Sequence, residues 1–149
     1  MKLFIGALAF VCSLSVLAAA PTREVFREVS AQAEELGYYG NDILVCLNEA
    51  GQVRLGGTSS WNWPLAIYLV DAEGQVSATT GLNPAGQDSV FQFLADGKKI
   101  SLGLGQAYES VDSSGPNTIK RLQGSLNAEG TVMGPYEKLD CYYNFSGLE

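Results

Sequence analysis

Few side chains in this 149-residue chain are equipped for chemistry, and one type is missing altogether: there is no histidine. Its absence removes the usual general base, the Ser-His-Asp and Cys-His nucleophile systems, and every imidazole metal ligand. Zinc binding fails too, because Cys46 and Cys141 stand far apart and are expected to be bonded to each other. No metal and no other cofactor is expected.

Carboxylate chemistry passes this filter, since a glycosidase needs only two acidic side chains across a sugar cleft. Glu49, Glu73 and Glu129 fall inside turns, and Glu109, Asp112, Glu137 and Asp140 fall near expected strand ends. No pattern among them singles out an acid and a base. Most read as solvated charge, so no catalytic residue is assigned and a non-enzymatic protein is expected.

Binding chemistry has a better candidate in Trp61-Asn62-Trp63, followed by Pro64. Indole faces stack on sugar rings or anchor protein interfaces, which makes Trp61 and Trp63 the candidate binding residues. A tryptophan just before a strand also serves as a plug at the end of a β core. Lys98-Lys99 and Lys120-Arg121 are the only basic pairs and read as gatekeepers on strand edges. Asn144-Phe145-Ser146 is an N-glycosylation sequon, and its use would require Asn144 at the surface. Gly103-Leu104-Gly105 has no following lysine and ends a strand; it does not cradle a phosphate.

The elements that must position these residues begin with residues 1–18, where Lys2, an apolar run and small residues give the layout of a secretory signal peptide. Export to the extracellular space is expected. Without Lys2, the balance of 9 basic and 16 acidic residues leaves a net charge of about −8. Phosphate backbones and anionic lipid repel such a chain, so neither nucleic acid nor membrane is an expected partner. Cys12 leaves with the signal, and the remaining Cys46 and Cys141 pair most simply as one disulfide in an oxidising compartment.

Residues 19–41 form an N-terminal helical segment or a propeptide: Thr22 stands at a cap position, and Val25, Phe26, Val29, Ala33 and Leu36 recur at helical spacing before Gly37. From residue 42 to 149 the period is that of strands. Nine are expected, near 43–47, 52–55, 65–70, 75–80, 90–94, 99–104, 118–125, 131–133 and 139–145. One turn pattern recurs between them, at Asn48-Glu-Ala-Gly51, Asp71-Ala-Glu-Gly74 and Asn127-Ala-Glu-Gly130, with Ala95-Asp96-Gly97 as a shorter relative. Asn or Asp opening the turn and Gly three places on suits a type I turn closed by a left-handed glycine. The fold class is therefore all-β: an antiparallel β-sandwich or closed barrel of eight or nine short strands, preceded by one helix. Its first and last strands are tied by Cys46 and Cys141. Two longer interruptions, 56–64 and 106–117, are read as loops that could carry a binding surface.

A signal peptide leaving through Ala18-Ala19-Ala20-Pro21, a short helical segment, a compact β body and few cysteines together resemble the small secreted proteins of filamentous fungi. Cys46 early in the body and Cys141 near its end are similar to the arrangement in ToxA-like β-sandwich effectors, and more loosely in MAX effectors. The resemblance implies a non-enzymatic, effector-like virulence protein that binds a host target. The Arg-Gly-Asp loop of the ToxA type is missing here. Three readings follow: a secreted host-interaction protein acting by surface binding, a carbohydrate-binding module using Trp61 and Trp63, and a secreted enzyme inhibitor or small carboxylate glycosidase. The expected partner is a host protein or a cell-wall polysaccharide.

Overall fold

After Asp42, the strand Asp42–Leu47 (β1) is an apolar run, and a strand of that kind has to be covered on both sides. In the computed structural model, which describes residues 19–60, 63–84, 90–95, 97–107, 109–112, 118–127 and 136–145, it is. Leu44 and Cys46 face an inner core shared with Leu55, Ile67, Phe93, Leu102, Leu122 and Cys141. Ile43, Val45 and Leu47 face the other way, onto Phe26, Val29 and Ala33 of the single helix, Arg23–Glu35 (α1).

The remaining strands are Val53–Ser60 (β2), Trp63–Val70 (β3), Val76–Pro84 (β4), Val90–Ala95 (β5), Lys98–Leu104 (β6), Glu109–Asp112 (β7), Thr118–Asn127 (β8) and Glu137–Phe145 (β9). All pair antiparallel, in the order β6-β5-β4-β3-β2-β1-β9-β8-β7. β6 also pairs with β8, from Ser101 opposite Asn127 to Leu104 opposite Gly124. Eight strands thereby close into a barrel, and β7 is an additional strand on β8. Of the two architectures expected, the barrel is the one formed, and closure removes the free edges a sandwich would leave. β6 and β7 share one side of β8: after Leu104 the chain makes one more ladder bond, Gly105 N–H to Gln123 O at 2.8 Å, and then resumes pairing at Glu109.

Cys46 and Cys141 are bonded, 95 residues apart in sequence yet directly opposite each other on β1 and β9. The staple therefore locks the contact between the first and last strands of the barrel, inside its core. Gly124 makes room for it, since a Cβ there would run into Cys141 Sγ.

In an up-and-down barrel every second connection lies at the same end, and the recurring turn pattern, at Asn48, Asp71 and Asn127 with its shorter relative at Ala95, falls on those connections. The connections after β1, β3, β5 and β8 all lie at the Leu47 end. Asn48 Oδ1 accepts from Ala50 N (3.0 Å) and Gln52 N (2.9 Å), and Asp71 Oδ1 accepts from Glu73 N (3.0 Å) and Gln75 N (2.7 Å). Gly51 and Gly74 close these turns at φ 76° and 80°, the left-handed region the pattern called for.

Several expectations change. Residues 56–64 are not a long loop: β2 runs to Ser60 and β3 starts at Trp63, its register partner. Gly56 reads as a breaker in sequence, but it is needed because the Tyr68 ring fills the space a Cβ there would take. The second interruption contains β7. Thr22 occupies the N-cap of α1 in extended geometry without a side-chain capping bond, while Gly37, at φ 81°, ends the helix as expected. The signal segment, Trp61 and the strand expected at 131–133 lie outside the described residues.

Candidate binding site at the barrel mouth

Strand alternation and register sort the inward-facing side chains into layers. Toward the Leu47 end Leu69, Ala95, Ile100, Leu126 and Leu139 form a buried apolar layer, and Ser77 and Glu137, the latter ion-paired to Arg54, are half-buried beside it. The disulfide, with Leu44, Leu55 and Leu122 beside it, forms the middle layer. Toward the opposite end, where Asp42, Ser60, Trp63, Pro84, Val90, Leu104, Thr118 and Phe145 begin or end their strands, the interior turns polar.

Tyr143 stands at the centre of that change. It is opposite Leu44 on one side and Lys120 on the other, so its ring rests on the core while its hydroxyl faces the mouth. The hydroxyl donates to Asp42 Oδ2 at 3.2 Å and lies 2.5 Å from Ser59 Oγ. Burial is the main reason its phenol pKa is raised above the ordinary value; the Ser59 hydrogen bond opposes this and the Asp42 charge adds to it. Asp42, Ser59, Lys120 and Tyr143 are all half-buried, as are the apolar Phe91 and Leu104 where β5 starts and β6 ends. Buried without solvent, these polar groups would be costly. Their partial exposure marks a mouth that reaches water above a floor that does not.

The sequence candidates fall as follows. Trp63 opens β3 at the rim of this mouth, paired with Ser60, and Trp61 precedes it outside the described residues. Cys46 and Cys141 are the disulfide in the floor. Asn144 is only 3% exposed, on the outer face of β9 between Ile43 and Ile119, with Oδ1 unpaired. A glycan has no room there, contrary to the surface position the sequon would require.

The outer face near Asn144 holds a second polar group. Arg121, also on the outer face, forks onto Asp140 through Nε (2.7 Å) and a terminal nitrogen, and lies 3.6 Å from Glu109. Its guanidinium sits 5.8 Å from the centre of the Tyr142 ring, whose hydroxyl donates to Asp140 at 3.0 Å. Arg54 is held in the same way, by both oxygens of Glu137 at 3.2 and 3.0 Å. Asp140 and Glu137, read in sequence as solvated charges, are thus ion-paired, and Arg121 is no edge gatekeeper but part of a packed cluster. Lys98 and Lys99 are exposed on β6.

Sequence reasoning passed over Asp42, Ser59 and Tyr143 as a group. Tyr143 was legible as a core-facing residue from its alternation with Cys141, but its partners come from strands more than eighty residues away and carry no motif. Among the described residues there is no cluster of three or more His, Cys, Asp or Glu side chains placed to hold a metal ion, and no helix long and apolar enough to cross a membrane. In comparisons with known proteins, no family model, no curated protein and no solved structure matches the chain.

Proposed function

We propose that this is an exported, non-enzymatic binding protein of the effector-like kind, recognising a host protein or cell-wall polysaccharide through the mouth at the Asp42 end of its barrel. One observation carries the reading: the two ends of the barrel differ. The Leu47 end has a layer of buried apolar side chains, with the Arg54–Glu137 ion pair at its edge and turns at Asn48 and Asp71 that bond their own backbone, whereas the Asp42 end presents a hydrogen-bonded group of half-buried polar and aromatic side chains beside the strand that Trp63 opens. Function on a rigid barrel belongs at the end where the polar groups still meet water.

Deleting the gene in the producing organism tests the interaction role. A weakened interaction with the host, restored by the intact gene but not by a W61A/W63A version that is still secreted, is expected. An unchanged interaction would count against it.

The rim position of Trp63 supports a second reading, a carbohydrate-binding module. Retention of the protein on chitin, cellulose or β-glucan, lost in W61A/W63A, supports that version, and retention that survives both substitutions defeats stacking as its mechanism.

A further inference from the structure

We infer that α1 is a replaceable cover, and that the outer face of the barrel beneath it docks an amphipathic helix of a partner protein in its place. This surface is separate from the Asp42 end and does not depend on recognition there. Ile43, Val45, Leu47, Tyr68, Ile119 and Tyr142 make it, one apolar field drawn from β1, β3, β8 and β9. All six are buried, and a face of that kind needs a cover. α1 supplies one and shows what shape fits: a helix presenting an aromatic, a β-branched and a small side chain, Phe26, Val29 and Ala33, at spacings of three and four.

Taken alone, α1 is a weak helix. Its 13 residues are near the length at which an isolated helix is marginal in water. Thr22 makes no capping bond, Glu24 in the first turn is offset by Arg23, and the last turn carries Glu34 and Glu35 with no basic residue, against the helix dipole. Its helicity therefore comes from docking. The chain that follows holds a ready hinge. Gly37 turns at φ 81° with open space where a Cβ would stand, whereas Gly40 lies against the backbone of Ser59 and fixes the linker from there to β1. Between them the Tyr38 hydroxyl ties the linker to Thr79 O at 2.6 Å.

α1 also leaves this face incompletely paired. Thr58, Ile43, Asn144 and Ile119 stand in one outward-facing row across β2, β1, β9 and β8. Ile43 and Ile119 pack in the same cluster as Phe26, Val29 and Ala33, yet Thr58 Oγ1 and Asn144 Oδ1 beside them are buried with no hydrogen-bond partner among the described residues. Buried oxygens left unpaired cost stability, and a helix with the same apolar spacing plus a hydrogen-bond donor over this row recovers it. That difference allows a partner to displace α1 and sets its chemistry: an amphipathic helix with an Asn, Gln or Ser beside its apolar stripe.

The test uses the full chain and labelled synthetic peptides of residues 19–36 as stand-ins for the partner helix. Hydrogen exchange of the full chain should show residues 23–35 exchanging at least about tenfold faster than β1 and β9, through local opening. Thr58→Val keeps the shape, removes one unpaired oxygen and should slow that exchange. The parent peptide should bind the full chain, more tightly in Tyr38→Phe, which cuts the tie without touching the apolar face, and not at all when the peptide itself carries Phe26→Ala. Among peptides with Gln placed at one exposed position at a time, one should bind about tenfold tighter than the parent, a gain that Thr58→Val or Asn144→Leu in the barrel reduces. Residues 23–35 exchanging no faster than β1 and β9, peptides that fail to bind even Tyr38→Phe, binding that survives Phe26→Ala in the peptide, or a Gln set with no tighter member each overturn the proposal. A concentration-dependent dimer that the parent peptide disperses overturns it as well, by making α1 of a second copy the occupant.

Discussion

Tyr68 and Gly56 show how one residue on this barrel is bound to another. Tyr68 is 3% exposed on the outer face beneath α1, and its ring occupies the space a Cβ at position 56 would need. Gly56→Ala should therefore force the ring or the strand to move, at a cost of about 1–3 kcal/mol read as a lower midpoint in urea. Burial also raises the Tyr68 phenol to about 12. The unfolded chain releases that proton near the ordinary value of about 10, whereas the folded chain keeps it. Stability is therefore complete below pH 10 and declines as pH rises through 10 toward 12. Ultraviolet titration of tyrosinate should show a late step that disappears in Tyr68→Phe. None of this was legible in the letters: Gly56-Gly57 signals a break, and only the packing of β3 on β2 shows that Gly56 leaves room for the Tyr68 ring and Gly57 for Ile67.

Among elements, α1 and the disulfide decide whether the barrel holds. Phe26, Val29 and Ala33 are buried against Ile43, Val45 and Leu47, and the Tyr38 hydroxyl beyond the helix donates to Thr79 O at 2.6 Å on β4. The segment packs on the barrel, and its helical spacing was readable because both the period and the terminating Gly37 are local signals. What it packs against was not readable, because β1 looks the same whether it is covered by a helix or by a second sheet. Phe26→Ala should cost about 3–5 kcal/mol, measured by chemical denaturation. The disulfide stabilises by restricting the unfolded chain, and for a loop of this length the chain-entropy model gives about 4–5 kcal/mol. The Cys46→Ala, Cys141→Ala double variant should unfold at correspondingly lower denaturant with its native circular dichroism intact. The pairing was legible from cysteine arithmetic alone, and the turns at Asn48 and Asp71 from their glycines, since each depends on chemistry confined to a few residues.

At the scale of the whole molecule, closure is what turns a run of hairpins into a vessel with two unlike ends. Strand count and turn spacing carry the all-β class, but whether the last strands return to the first depends on β8 pairing with both β9 and β6, a long-range choice no local pattern records. The asymmetry follows from that closure: once the strands are aligned, Asp42, Ser59, Lys120 and Tyr143 gather toward one end and Leu69, Leu126 and Leu139 toward the other. The most direct test of recognition at the Asp42 end is to map amide chemical-shift changes, in the isotope-labelled protein, on addition of soluble fragments of chitin, cellulose and β-glucan. Shifts confined to the strand ends around Asp42, Ser59, Lys120 and Tyr143, with the turns at Asn48 and Asp71 unmoved, are the result expected. Shifts centred on the Leu47 end or along α1, or none at all, would contradict it.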